Sequence, residues 1–421
     1  MKKRVILSLL LIAVLVLSAC TTTATTTAPT TAGTTSGTTA GTTAGTTTGT
    51  TAGTTGGTTA GTGPYDKLDK IYIGVTAPMT GTNKLVGDYV INGAKLAAEE
   101  INAKGGLLGK QIELVMEDEV DNQQASVNAM TKLLNNSNIS AMFGSTYSAY
   151  CIGVSPTVKE KKIPFMAGGS SANIPKENNM YMWQARMTDD KSGQLLATAA
   201  TQTLKMKNPA ILHITDSFGT GLKDQTLAAL KNMGIEVAAN NVYGHNADEK
   251  QFTPIINQIM NSDVDGLIAI SHQVPAALIM AQADSAGLDL PRLGSSSFGS
   301  AVARQSSGAA TDGWYAVSDW TVEVTTPVGK AFAEAYQAKY NQESDMPAVT
   351  AYDSIKLLAE AIKMGNSVEP ATINENLGKI TNLEGAMSTY KAQPNRCFST
   401  SQFLTLNKDG KATMVEVVKV Q

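Results

Sequence analysis

Few residues in this 421-residue chain have the type and spacing for covalent chemistry. Gly105-Gly106-Leu107-Leu108-Gly109-Lys110-Gln111 looks like a phosphate-binding loop, but its first glycine spacing is wrong and Gln111 stands where a hydroxyl residue is needed. There is no Gly-x-Ser-x-Gly nucleophile elbow. Asp118, Glu119 and Asp121 form an acidic cluster at the end of an apolar run, expected to face solvent rather than bind calcium. The only histidines are His213, His245 and His272, and the only cysteines are Cys20, Cys151 and Cys397, with none in zinc-site spacing. Cys151 and Cys397 could pair in an oxidising compartment, although sequence alone does not bring them together. The chain is therefore expected to be no enzyme and to need no metal or cofactor.

The first 63 residues differ from the rest. They carry three charges, Lys2, Lys3 and Arg4, which leaves 30 basic and 36 acidic residues in the remaining 358. A net charge of −6 on the body argues against a nucleic-acid binder, which would present a basic face, and disfavours a polybasic membrane-surface protein. Val5 to Leu17 is an uncharged apolar run, too short to span a bilayer and of the right length for a signal-peptide core. Leu17-Ser18-Ala19-Cys20 resembles the lipobox of bacterial lipoproteins, in which the cysteine is lipidated and becomes the mature N-terminus. The alternative is a simple cleaved secretory signal. Thr21 to Gly63 is Thr, Gly and Ala with only Pro29 and Ser36 added, and has no apolar face to offset its ordering entropy. A signal over 1–20 and a disordered tether over 21–66 are expected, the tether spanning on the order of 35–40 Å as a flexible coil.

The body is longer than one core usually supports, so two domains are expected. From Lys70 onward short apolar runs alternate with helix-period segments. Strands are predicted at Ile71–Val75, Gln111–Glu117, Ile139–Phe143 and Ile163–Met166, with helices between them. Asp121 with Gln124 reads as a capping box for the helix that runs to about Asn135. The series restarts after Arg186-Met187-Thr188, with predicted strands Pro209–Ile214, Ile235–Ala239 and Val264–Ile270. Such alternation demands parallel sheets with helices on both faces, and ligand crevices at the carboxyl ends of the strands. Later helices at Thr326–Tyr340 and Val349–Met364, and strands at Ser401–Leu406 and Thr413–Val420, cannot all extend the second sheet in order. The chain is expected to cross back to the first lobe.

Several stretches together resemble the type I periplasmic solute-binding proteins, in the leucine/isoleucine/valine-binding branch that serves ABC transporters. They are Ala77-Pro78-Met79-Thr80-Gly81, Asn92-Gly93-Ala94 through Lys110, Phe143-Gly144-Ser145, Asp216-Ser217-Phe218-Gly219-Thr220-Gly221, Gln282-Ala283 through Gly287, and Ala351-Tyr352-Asp353. Each is weak alone; their shared order from about Ile71 to about Gly365 carries the resemblance. It implies an α/β fold of two doubly wound parallel-sheet lobes joined by a three-crossover hinge. The expected lobes are 67–188 plus 322–398 and 189–321 plus 399–421. Closure follows when a ligand touches both lobes.

The resemblance also implies site residues. A ligand carboxylate would be held from the first lobe by Ser148, in Gly144-Ser145-Thr146-Tyr147-Ser148, and by Gly169 with Ser171, in Ala167-Gly168-Gly169-Ser170-Ser171. Hydroxyls and N–H groups at helix starts stabilise an anion without a buried countercharge, although serines there are also ordinary caps. Where amino-acid binders place an acidic residue for the ligand ammonium, this chain has Ser296, and the usual second-lobe tyrosine is Phe218. The next contact falls at His272 or Gln273, and a first-lobe aromatic position falls at Val86. Asp189 is the candidate that restores an anion for an ammonium, its alternative being a helix cap beside Asp190; Asp319 beside Trp320 is a weaker one.

The expected function is thus an extracytoplasmic binding lipoprotein, anchored at the membrane through Cys20. It would capture an amino acid or related small carboxylate and deliver it to an ABC permease. The alternative is a ligand sensor whose closed form docks on a membrane signalling partner. Only the partner separates the two.

Overall fold

The computed structural model describes residues 61–324 and 326–417. The export signal, Cys20 and most of the proposed tether lie outside the described residues. No described helix is long and apolar enough to cross a membrane.

Apolar runs become parallel strands, buried on both faces in the middle of each sheet and half-exposed at the edge strand Ile112–Asp118 of the first. In the first sheet these are β1 (Ile71–Ala77), β2 (Ile112–Asp118), β3 (Ile139–Gly144), β4 (Phe165–Ala167) and β5 (Met182–Gln184), connected by α1 (Lys84–Ala103), α2 (Gln123–Leu134) and α3 (Ser148–Lys161). Their order is β2-β1-β3-β4-β5, all parallel. The chain then crosses to α4 (Asp189–Thr198) and a second αβ series: β6 (Pro209–Ile214), α5 (Ser217–Asn232), β7 (Val242–His245), α6 (Thr253–Met260), β8 (Gly266–Ile270), α7 (Gln273–Ser285), β9 (Arg292–Gly294), α8 (Ala301–Ser307) and β10 (Trp314–Ser318). Its parallel part is ordered β7-β6-β8-β9-β10, the same pattern as the first sheet.

A second crossing returns the chain to α9 (Pro327–Tyr340), α10 (Met346–Gly365), α11 (Pro370–Leu377) and the short antiparallel pair β11 (Leu383–Glu384) and β12 (Thr389–Tyr390). Phe332, Ile355, Leu358 and Ile373 of these helices share one hydrophobic cluster with Ile73, Val90 and Ala94 of β1 and α1, which fastens them to the first lobe. A third crossing supplies β13 (Phe403–Lys408) and β14 (Lys411–Val417), an antiparallel hairpin on the β10 edge of the second sheet. Two α/β lobes joined by three crossovers are what the sequence implied. The hairpin makes the second sheet mixed.

Three local expectations are corrected. Ile235–Ala239 is not a strand: Gly234 turns left-handed at φ 83°, Ile235 N–H bonds the Leu230 carbonyl, and Ile235 and Val237 seal the end of α5. The strand of that unit is β7, paired with β6 from Ile211–Val242 onward. Asp121 does not cap α2; Asn122 does, its side chain accepting from Ala125 N–H at 2.7 Å. Asp121 instead accepts from the Thr82 and Asn83 amides ahead of α1. The acidic cluster does not simply face solvent, because Glu119 is fully buried. Thr76, the Ser145 amide and the Ser145 hydroxyl all donate to it, and burial pushes its pKa up to about 7.

Cys151 and Cys397 are both buried and unpaired. The Cys151 thiol lies 3.3 Å from the Ser145 carbonyl, and the Cys397 thiol 3.1 Å from Gln184 Oε1 in the third crossover.

Candidate functional site

Each sheet reverses its winding between its first and third strands, at β1/β3 and at β6/β8, and such switch points open a crevice beyond the carboxyl ends of the strands. The loops after β3 and β4 reach the crevice from one lobe; those after β6, β8 and β9 reach it from the other.

The lobes meet here. The Ser171 hydroxyl donates to the Ser217 carbonyl at 3.4 Å. Tyr147 sets its edge on the His272 ring, with centroids 5.0 Å apart and planes at 87°, and Phe218 stacks on the other side of His272 at 5.1 Å. His272 Nε2 is fixed by Asp216 at 2.7 Å, while Asp216 also caps α5 through the Gly219 N–H.

Behind Tyr147 and His272 lie two small cavities, of about 20 Å³ and 10 Å³, that share Ser170, Arg186, Phe218 and Ser296 as walls. Thr146, Tyr147, His272, Gln273, Ser297 and Met346 complete the first, while Asp189 is among the further walls of the second. The structure thus brings together Asp189, Phe218, His272 and Ser296. Ser148, Gly169 and Ser171 stand one residue behind the walls. The Ser148 hydroxyl accepts from the Ser171 N–H at 3.1 Å, and the Ser171 hydroxyl accepts from the Asn173 N–H at 3.2 Å. Gly169 is obligatory for this packing, since a Cβ there would lie 2.7 Å from both Cα and Oγ of Ser148. Neither serine is the N-cap of α3, a position held by Tyr147.

Asp189 opens α4 with its backbone N–H bonded to the Ser170 carbonyl at 2.9 Å. Its side chain is 1% exposed, and neither carboxylate oxygen has a hydrogen bond of normal geometry. Burial drives its pKa up to about 7, with Ser170 and the Arg186 charge pulling against it. The hydroxyls of Thr146, Tyr147 and Ser217 are likewise buried without partners. Buried polar groups are nearly always paired. Three of these orphans stand on the walls of the two small cavities, Thr146 and Tyr147 on the first and Asp189 on the second.

Arg186 escaped the sequence reading. It sits in the first crossover, pairs with Asp319 in the second through Nε to Oδ2 at 2.8 Å, and reaches Ser296 Oγ at 3.4 Å. Asp319 is therefore committed to Arg186, which corrects its candidacy as an ammonium partner. Trp320 belongs to the first-lobe core, with its ring against Phe332 and its indole N–H toward the Ser344 carbonyl. Val86 is also a core residue. The only sequence signal for Arg186 was a lone charge at the break between the two αβ series.

The histidines make no nucleophile–base pair with the cavity serines: His213 bonds the Ile214 carbonyl, His245 meets the fully buried Ser271, and His272 meets Asp216. Among the described residues no cluster of His, Cys, Asp or Glu could hold a metal ion.

Comparison with known proteins agrees with this architecture. The chain is 24% identical over 310 residues to a leucine-, isoleucine-, valine-, threonine- and alanine-binding protein of Pseudomonas aeruginosa, covering 73% of this chain and 82% of that one. The branched-chain amino acid transporter substrate binding protein LivJ of Streptococcus pneumoniae, solved with isoleucine, superposes with a TM-score of 0.76 at 25% identity over 82% of this chain and 99% of LivJ. A solute binding protein of an ABC transporter from R. palustris, solved with benzoate, superposes with a TM-score of 0.76 at 18% identity over 83% and 96% of the two chains. The family model described as periplasmic binding protein matches residues 70–411, and with two lobes, three crossovers and a shared cleft in place, the chain belongs to that family.

Proposed function

We propose that this protein is an extracytoplasmic solute-binding lipoprotein that captures an α-amino acid by closure of its two lobes and delivers it to an ABC permease. The observation that carries the ligand class is the buried carboxylate of Asp189, without a hydrogen bond of normal geometry, in one inner cavity and the unpartnered Thr146 hydroxyl in the adjoining one. An ammonium at Asp189 would restore a charge pair inside the cleft, and a ligand carboxylate would take the Thr146 hydroxyl with the start of α3 behind it. Ser148, Gly169 and Ser171 then serve by fixing the two first-lobe loops against each other. A ligand such as benzoate has no group for Asp189, which favours amino acids over simple carboxylates here.

The division into lobes at 67–188 plus 322–398 and 189–321 plus 399–421 fits this reading, since each crossover lies at one of its boundaries. Membrane anchoring through Cys20 rests on the lipobox and the low-complexity segment after it. Where the described chain begins, it is fastened to the first lobe: Asp66 accepts from the Ser367 hydroxyl and the Val368 N–H, and Glu369 accepts from the Tyr65 N–H.

A thermal-shift screen of amino acids, amino-acid amides and simple carboxylates tests the proposal, because a ligand that binds the folded state raises its apparent stability. Amino acids are expected to shift the transition. Shifts from carboxylates alone would overturn the ligand class.

A further inference from the structure

The two inner cavities are too small for a whole amino acid with a branched side chain. At about 20 Å³ and 10 Å³, each has room for about one water. Outside the Tyr147–His272 contact lies a much larger cavity of about 410 Å³, and these two residues wall both it and the inner space. Its walls come from both lobes. Tyr147 and Tyr150 face it from α3 and its approach, and Val274, Pro275 and Leu278 from α7.

The rim is acidic. Asp121, Asp216, Asp248 and Glu249 line it against one lysine, Lys250. Among the described residues none of these four carboxylates forms an ion pair with a lysine or arginine, and Asp216 is held by His272 alone among basic side chains. The hydroxyl of Tyr147, a residue only 6% exposed, has no hydrogen-bond partner.

We propose that this outer cavity holds the side chain of the bound amino acid, and that the side chain is a cationic group on an apolar stem of lysine or arginine length. This rests on the head-group reading above, with the zwitterion inside Tyr147 and His272 and the stem passing between the lobes. The apolar and aromatic walls receive the methylenes. The cation ends among the carboxylates and within reach of tyrosine faces, which attract cations through the ring quadrupole. Asp121, Asp216 and Glu249 already accept backbone N–H bonds, but a short neutral side chain would leave most of the cavity empty and bring no cation to the rim.

Calorimetric titration with arginine, norleucine and agmatine, at low and high salt, tests the proposal on the wild type and on the double variant Asp248→Asn/Glu249→Gln. Arginine is expected to bind about tenfold or more tighter than norleucine at low salt, with the gap narrowing at high salt because exposed charges are screened. The double variant is expected to narrow the gap as well. Norleucine binding as tightly as arginine, or a gap unmoved by both salt and the variant, would overturn the side-chain assignment and leave the head group standing. Agmatine matching arginine, with both above norleucine, would keep the cation site and overturn the head-group reading. Binding of none of the three would overturn both.

Discussion

If Asp189 holds the ligand ammonium as proposed, it sets stability against binding in this molecule. Burial raises its pKa from the ordinary 3.8 to about 7. At 1.36 kcal/mol per unit, ionising it in the ligand-free protein costs about 4 kcal/mol relative to the unfolded chain. Because the folded pKa lies above the unfolded one, this cost is absent below pH 3.8, grows as pH rises toward about 7, and is constant above it. Asp189→Asn removes the charge but leaves a buried amide without partners, at about 1–3 kcal/mol. The variant should therefore be more stable than the wild type by about 1–3 kcal/mol near pH 8, or about 1–4 °C in Tm for a body of this size, with no gain near pH 4. Amino-acid affinity should fall in the same variant by about 2–4 kcal/mol, roughly 30- to 1,000-fold, because a desolvated ammonium loses its counterion. Melting curves of the ligand-free proteins across pH, together with calorimetric titrations, read both quantities. A lower Tm for the variant near pH 8, or an affinity within threefold of wild type, would refute the reasoning.

Other consequences are equally direct. Affinity for an amino acid should rise with pH up to about 7 and then level, since the ammonium requires ionised Asp189; titrations in matched buffers with proton-release analysis would show it. Gly169→Ala should displace Ser148, given the 2.7 Å approach, costing about 1–3 kcal/mol of stability and weakening ligand binding by about tenfold or more. Arg186→Met should strand Asp319 at 0% exposure and destabilise by about 3–5 kcal/mol by denaturant unfolding, whereas Arg186→Met/Asp319→Leu should recover much of that loss. Glu119→Gln should have its most favourable effect on stability above pH 7, where the wild-type carboxylate is ionised in a fully buried site.

The sequence was most legible where burial leaves a plain mark. Buried parallel strands are unbroken apolar runs, so β6 was placed to the residue and β1, β3 and β8 nearly so. Ile235–Ala239 misled because alternating apolar residues seal a helix end as readily as they make a strand; the left-handed Gly234 decides between them. Of the residues that the family resemblance implied, Phe218 and Ser296 line both inner cavities, with His272 on one and Asp189 on the other. Arg186 was not legible, because its meaning comes from Asp319, 133 residues away, and no local period announces such a partner. Thr146 and Ser170 lie within two residues of ones that were chosen, and only the loop conformation selects which neighbour faces the cleft.

The account rests on a cleft that reads both ends of a zwitterion. Calorimetric comparison of an amino acid that binds with its carboxamide and with its des-amino acid tests that claim most directly. The account predicts that each analogue loses about 30-fold or more, the des-amino acid through Asp189 and the carboxamide through the first-lobe donors. A des-amino acid that binds as tightly as its parent would contradict it.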